Sequence, residues 1–341
     1  MSNIRLGILG ATGVVGSEMM NIIQEKDIKF KSIKLLASEK SAGQVVRYNN
    51  EDIIIEEVTK KSFNDIDILL VAVSSSISKK FTPIAVEKGV TVIDNSSAYR
   101  LDDNVPLVVP EVNSEDIDNH SGIISNPNCS TIIAVTALNK LNEYAEIERM
   151  IVSTYQAVSG AGAKGLEELK DQVNKLENNE EIKSEAFQYQ IAYNLIPHIG
   201  PFNEEGYSEE EMKLQNEGRK IFHKPNLKVN CTCVRVPVYR SHSESITIET
   251  KKDLTVEKAR EILSKSPGVK LVDDPSNSKY PMPLDTSNQD LIFVGRVRKD
   301  ISSEDNKSLT LWCCGDQIRK GAATNAVQIL EKVIEKKAYR N

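Results

Sequence analysis

Apolar residues follow two rhythms along this chain. In the first 128 residues, short unbroken apolar runs alternate with stretches in which apolar positions recur every three or four residues. The runs predict strands at 4–9, 32–37, 53–58, 67–73, 90–94 and 122–125, and the longer period predicts helices near 14–25, 77–88 and 114–119. Strand and helix in turn build βαβ units, so a mostly parallel, doubly wound sheet is expected. Beyond residue 128 the texture changes. Alternating apolar and polar positions at 147–155, 229–238, 244–250, 292–299 and 308–314 predict longer strands, which suit an antiparallel or mixed sheet covered on one face. Helical patterns lie at 165–176, 209–221 and 255–264, and 199–208 and 273–289 read as surface loops. A last helix, about 319–338, carries Ala322, Ala326, Val327, Leu330 and Val333 on one face. That face needs cover, and the first domain is the expected partner.

Two junctions between these elements carry chemistry. The strand Ile4–Leu9 runs into Gly10-Ala11-Thr12-Gly13-Val14-Val15-Gly16 and then into a helix. Small residues there let a backbone approach a pyrophosphate, and a helix N-terminus supplies N–H donors to it. The spacing Gly-x-x-Gly-x-x-Gly also fits a tight turn that binds nothing. The second junction is Asn126-Pro127-Asn128-Cys129-Ser130-Thr131, where a turn enters a buried helix. A thiol at a helix start is favoured as thiolate by the helix dipole and the unpaired N–H groups. It equally fits a small residue filling a gap.

Composition narrows the field. At 341 residues, 40% apolar and 27% charged, the chain has room for two ordinary globular domains. The net charge of −6, with Lys and Arg scattered, argues against a nucleic-acid partner. No apolar run approaches a membrane span, and the first strand begins within a few residues of Met1, so a cytoplasmic protein without a membrane partner is expected. The cysteines at 129, 231, 233, 313 and 314 match no zinc or redox spacing, so no metal is expected. Cys231 and Cys233 alternate along a strand and read as core thiols.

Other candidates stay open on residue chemistry alone. His242, in a polar stretch after a strand, is either an acid–base group or a solvated loop histidine. Gln156 ends an apolar strand, either as an amide that orients an acyl oxygen or as a plain polar terminus. Arg100 offers a fork to phosphate or pairs with Asp102 and Asp103. Glu210 and Lys213 share a helix face, which an ordinary surface ion pair also explains. Arg235 is the lone charge in a strand and needs a partner if buried.

Taken together, the blocks resemble the bacterial NADP-dependent aspartate-semialdehyde dehydrogenases over nearly the whole length. The resemblance rests on Gly10–Gly16, Asp94–Arg100, Val109–Asn113, Asn126–Thr131, Tyr155–Gly162, Arg235–Val238, His242–Ser245 and Asp316–Ala323. It implies an NADP-binding, Rossmann-like domain at 1–128 with the C-terminal helix 319–341, and an α+β catalytic and oligomerisation domain at 129–318. It implies reversible reductive dephosphorylation of aspartyl 4-phosphate to aspartate semialdehyde through a cysteine thioester, in the aspartate-family amino-acid pathway. By resemblance Cys129 is the nucleophile, His242 the acid–base and Gln156 the acyl-orienting amide. Arg235 and Glu210 would hold substrate, although Glu211 beside Glu210 could take its part. Arg100, Lys213 and Asn128 would hold inorganic phosphate. The cofactor would meet Gly10, Thr12, Gly13, Val14, Val15, Ser38, Lys40, Ser41, Ser159, Gly160 and Gln317. Ser38, Lys40 and Ser41 suit a 2′-phosphate, and Glu39 argues mildly for some NAD use. A homodimer is implied, to which the Leu166, Leu169, Val173, Leu176 stripe would contribute unless it is core. N-acetyl-γ-glutamyl-phosphate reductase shares the chemistry but has His-Pro-Gly-Cys at the nucleophile. A non-catalytic relative would lose Cys129 or His242.

Overall fold

A computed structural model describes residues 3–340, with side chains described through residue 336. The chain divides into two units, Met1–Pro127 with Ala322–Asn341, and Asn128–Gly321.

The first unit is built on strands β1 (Arg5–Leu9), β2 (Ser32–Ala37), a hairpin β3 (Val45–Tyr48) and β4 (Glu51–Ile54), then β5 (Glu56–Glu57), β6 (Ile68–Val71), β7 (Thr91–Asp94) and β8 (Ile123–Ser125). Helix α1 (Val14–Glu25) follows β1, α2 (Ser75–Glu87) follows β6, and the short α3 (Pro110–Asn113) precedes β8. The main sheet runs β5-β2-β1-β6-β7-β8, and every pairing in it is parallel. This is the doubly wound order in which the first strand lies centrally and its following turn opens at the crevice. Sequence explains the layering. Residues 68–71 of β6 are apolar and wholly buried, as a strand covered on both faces requires. One core joins Leu6, Ile8, Met19 and Ile22 to Ala326, Val327, Leu330 and Val333 of the last helix.

The second unit opens with α4 (Cys129–Ala145) and β9 (Ile147–Gln156), followed by α5 (Ala163–Glu177), α6 (Glu209–Ile221), β10 (Lys228–Arg235), β11 (His242–Thr250) and α7 (Val256–Leu263). It ends with β12 (Val269–Leu271), α8 (Pro283–Thr286), β13 (Ile292–Lys299) and β14 (Ser308–Gly315). A π-helical turn, Arg319–Ala323, leads into α9 (Thr324–Arg340). The sheet order is β10-β9-β11-β14-β13-β12. It is mixed: β10 runs parallel to β9 and β12 to β13, while β9–β11, β11–β14 and β13–β14 are antiparallel. Helices α4, α6 and α7 pack on one face. Helix α4 is apolar nearly all round because it is enclosed, with Ile132, Ile133, Val135 and Leu138 all fully buried. The opposite face of the sheet keeps Ile151 and Tyr155 exposed, with Trp312 tilted against Tyr155 at 5.4 Å.

Some elements differ from the sequence pattern. The stretch 53–58 is split between β4 and β5, and the helix near 114–119 is a 3-10 helix, Ser114–Asn119. The loop 273–289 contains α8. His242 opens a strand rather than lying in a polar loop, and it is completely buried. The α5 stripe packs within its own unit: Leu166, Leu169, Val173 and Leu176 meet Phe187, Ile191 and Ile196.

Candidate active site

Three neighbouring strands deliver polar side chains to one corner of the second sheet. Arg235 ends β10 opposite Gln156, which ends β9. His242 begins β11, one residue beyond the pairing of Ser243 with Tyr155. Alternation puts all three side chains on the face covered by α4 and α6, and all three are buried. Gln156 Nε2 lies 3.4 Å from His242 Nε2. The turn after β9 closes over them. The Ala157 N–H donates to His242 Nδ1 at 3.0 Å, and Arg235 Nη1 donates to the Ala157 carbonyl at 2.6 Å. At Gly160 there is no room for a side chain: a Cβ would stand 2.7 Å from Arg235 Nη1 and 3.3 Å from His242 Cε1.

The helices complete the corner. Asn128 is the N-cap of α4, its Oδ1 accepting from the N–H of Ser130 and Thr131 at 3.0 and 3.3 Å. This places Cys129 at the first helical position, the half-exposed member of a set of cysteines otherwise buried. Among the described residues none of the five cysteines forms a disulfide. From α6, Glu210 Oε1 accepts from Asn128 Nδ2 at 2.9 Å and Gln156 Nε2 at 3.0 Å, and Oε2 accepts from Lys213 at 3.2 Å. Glu211 is engaged elsewhere. It forms the capping box with Ser208 and accepts the Cys233 N–H at 2.9 Å. Of the two acids, Glu210 is the one that faces this cluster.

Burial and charge set the protonation states. Burial lowers the His242 pKa most, the Arg235 cation lowers it further, and Glu210 and the Ser241 carbonyl oppose them; the result is about 3. The ring is therefore neutral near pH 7. Because Nδ1 accepts a main-chain N–H, its proton sits on Nε2. Burial by itself would raise the Glu210 pKa, but Lys213, Asn128 and Gln156 outweigh it and hold the carboxyl below its usual range. Burial likewise works against the Lys213 ammonium, and Glu210 and Glu209 overcome it. Burial lowers the Arg235 pKa, opposed chiefly by Glu210. A thiol at a helix start, an imidazole N–H, an amide and a buried guanidinium can together bind and stabilise an acyl oxygen and its carboxylate neighbour.

The remaining sequence candidates divide between the units. In the first, Gly10 takes φ +90, and a Cβ there would lie 2.3 Å from the Ala72 carbonyl oxygen. Only glycine fits. A cavity of about 460 Å³ opens beside this turn, lined among others by Gly10, Thr12, Gly13, Ser38, Glu39 and Glu57. Val14 and Val15 start α1, and Lys40 and Ser41 lie in the 3-10 turn Glu39–Ser41; none of these four lines the cavity. The cavity and the glycine turn fit a dinucleotide. Sequence reading overlooked Glu57, which lies in a two-residue strand with no periodicity to reveal it. Arg100 is buried and donates to the Asn95 carbonyl at 2.9 Å. In the second unit, Gln317 donates through Nε2 to Ser159 Oγ and accepts the Ser241 N–H at 2.8 Å. Among the described residues no cluster suited to a metal ion occurs, and no helix is long and apolar enough to cross a membrane.

Comparison with known proteins identifies the family. Residues 5–120 match the family model described as the NAD-binding domain of semialdehyde dehydrogenase, and residues 138–320 match its dimerisation domain. The chain is 48% identical to the aspartate-semialdehyde dehydrogenase of Aquifex aeolicus over 97% of this chain and 98% of that one. It is 44% identical to that of Bacillus subtilis, over 97% of each. The crystal structure of aspartate semialdehyde dehydrogenase II from Vibrio cholerae, complexed with ASA, superposes with a TM-score of 0.95 at 41% identity, over 98% of this chain and 99% of that one. The enzyme from Candida albicans with NADP superposes with a TM-score of 0.76 at 25% identity, over 97% and 98%. The chain is thus an oxidoreductase that acts on an aldehyde, and it belongs to the aspartate-semialdehyde dehydrogenase family.

Proposed function

We propose that Cys129 carries the acyl group between aspartate semialdehyde and aspartyl phosphate, with NADP as the redox partner. The observation that bears most weight is the placement of Cys129 at the capped start of α4, in the unit where Gln156, Arg235 and His242 converge. The helix start favours the thiolate. The thiolate attacks the semialdehyde carbonyl and gives a thiohemiacetal oxyanion. His242, neutral with its proton on Nε2, donates a hydrogen bond to that oxyanion, so the ring enters the reaction as the donor half of an acid–base group. Gln156 supplies a second donor through Nε2, because its amide is oriented with that nitrogen toward Glu210. The nicotinamide, when bound, takes or returns the hydride. Collapse of the oxyanion leaves a thioester on Cys129. Inorganic phosphate then attacks the thioester carbonyl and expels the thiolate, forming aspartyl phosphate. Arg235 holds the substrate carboxylate and Glu210 its ammonium, while Arg100, Lys213 and Asn128 serve the phosphate.

The glycine turn and the cavity beside β1 hold the cofactor, with Thr12, Val14 and Val15 at its phosphates and Ser38, Lys40 and Ser41 at the 2′-phosphate. Glu39 and Glu57 at the same cavity temper the preference for NADP over NAD. The family resemblance assigns Ser159, Gly160 and Gln317 to cofactor binding as well. Two copies pair as a homodimer in the cytoplasm. The test is phosphate-dependent absorbance change at the nicotinamide band, with aspartate semialdehyde and either NADP or NAD. Wild type should respond to both phosphate and semialdehyde, with NADP the better cofactor. Cys129→Ala should lose turnover and still bind NADP in a fluorescence titration. Turnover at the wild-type level in that variant would remove the thioester from the mechanism.

A further inference from the structure

Helix α6 holds Asn128 from two directions. The Asn128 main-chain N–H donates to Glu217 Oε2 at 2.7 Å, and its side-chain Nδ2 donates to Glu210 Oε1 at 2.9 Å. Residues 210 and 217 are two helical turns apart and so share a face of α6. Glu217 is 2% exposed, an interior carboxyl rather than a surface one. Asn128 in turn caps α4 through its own Oδ1. The N–H that Glu217 accepts belongs to the peptide entering Asn128, so the bond fixes the backbone one residue ahead of Cys129, and the φ and ψ of Asn128 carry that setting on to the thiol at the helix start. The other side of Cys129 is closely flanked, since a Cβ at Gly321 would stand 3.0 Å from the Cys129 Cβ. Gly321 thus lies against Cys129, and the Glu217 bond holds the backbone that leads into the turn.

We propose that Glu217 is a positioning residue for the nucleophile: by accepting the Asn128 main-chain N–H it aims Cys129 Sγ at the carbonyl carbon. This rests on Cys129 being the nucleophile. The cap and the Glu210 contact restrain the Asn128 side chain. Glu217 restrains its backbone, and a backbone rotation carries the thiol with it. Reacting atoms tolerate little misplacement, so the effect should appear in the chemical step rather than in substrate binding.

Glu217→Leu removes the acceptor at similar bulk, whereas Glu217→Gln keeps a carbonyl oxygen at the same reach. Steady-state turnover, semialdehyde KM and thermal unfolding are measured for both, beside Cys129→Ala. In the leucine variant kcat should fall about tenfold or more while KM for semialdehyde stays within about threefold. The glutamine variant should recover most of the lost kcat. The proposal is overturned by a folded leucine variant with wild-type kcat, by a loss carried in KM alone, or by a folded glutamine variant no better than leucine. If the leucine variant gives no cooperative unfolding transition, Glu217→Asp decides: its acceptor is withdrawn by one methylene, so a folded aspartate variant should lose kcat, and full activity there overturns the proposal. Turnover by Cys129→Ala would instead remove the nucleophile itself, a separate result.

Discussion

Gly160 shows how tightly single residues are constrained in this corner. Its φ lies outside the left-handed region, so alanine would cost no backbone strain there. The obstacle is the space beyond it, where an alanine Cβ meets Arg235 Nη1 at 2.7 Å and His242 Nε2 at 3.4 Å. Gly160→Ala should therefore displace the guanidinium and raise the semialdehyde KM by about tenfold, the scale of one disturbed charge-assisted hydrogen bond. The melting temperature should fall by a few degrees as well, because the displaced guanidinium strains its buried bond to the Ala157 carbonyl. Steady-state kinetics beside a thermal scan check this, and an unchanged KM would mean that Arg235 does not hold substrate. Residues of this kind differ in how far the sequence betrays them. Cys129, Arg235 and the glycine turn announce themselves, because a thiol at a helix start, a charge inside a strand and spaced glycines are each unusual. Glu217 does not, since a glutamate on a polar helix looks like solvent-facing surface. Nor does the Ala157 N–H that fixes the His242 tautomer, because a main-chain donor has no signature in a residue list.

At the scale of elements, strand β11 carries two groups that titrate in opposite senses. His242 and Glu244 are two residues apart, on one face and fully buried. His242 is held neutral by a pKa lowered to about 3. Glu244, opposite Cys313, is held neutral by a pKa raised well above the carboxyl range, chiefly through burial and then through Cys233. The unfolded histidine gains a proton below about 6.5, so its contribution to stability is complete above that pH and is lost as pH falls toward 3. The glutamate works the other way. Its contribution is complete below about 4.3, where the unfolded carboxyl is also protonated, and is lost as pH rises toward the raised value. Glu244→Gln keeps the shape and removes that second loss. Its melting temperature relative to wild type should therefore rise between pH 4.5 and pH 8, and a constant difference would show that Glu244 is charged in the folded enzyme. The polar run Ser241-His242-Ser243-Glu244 is also where the pattern misled. The strand pattern begins only at Glu244 and leaves the polar residues before it to a loop, yet Ser241, His242 and Ser243 are buried as well and the strand begins at His242. Strands with clean alternation, such as β9 and β13, were legible almost to the residue. The hairpin β3–β4 and the three-residue β12 were not, because so few residues establish no period.

For the whole molecule the open question is what lies against the second sheet. Helices cover one face. The other presents Ile151 at 38% and Tyr155 at 37% exposure, next to Trp312, Thr247 and Thr310. Such a mixture of aromatic, aliphatic and hydroxyl side chains on a flat sheet resembles the composition of protein interfaces more than that of solvent-facing strands. The proposed second copy would cover it by a two-fold arrangement in which each patch meets its own equivalent. An unfavourable charge placed there is then felt twice. Ile151→Asp together with Tyr155→Glu should convert the dimer to monomer in sedimentation or light scattering, while circular dichroism keeps the helix and strand content, since neither side chain enters the core beneath α4. Tyr155 also precedes Gln156 on the same strand, and the Tyr155–Trp312 pair braces the outer side of β9 just where its inner side presents the amide. Loss of the partner should therefore lower turnover along with assembly. If the double variant stays dimeric by both measurements, this face is not the interface, and the second copy must be sought on another surface of the second unit.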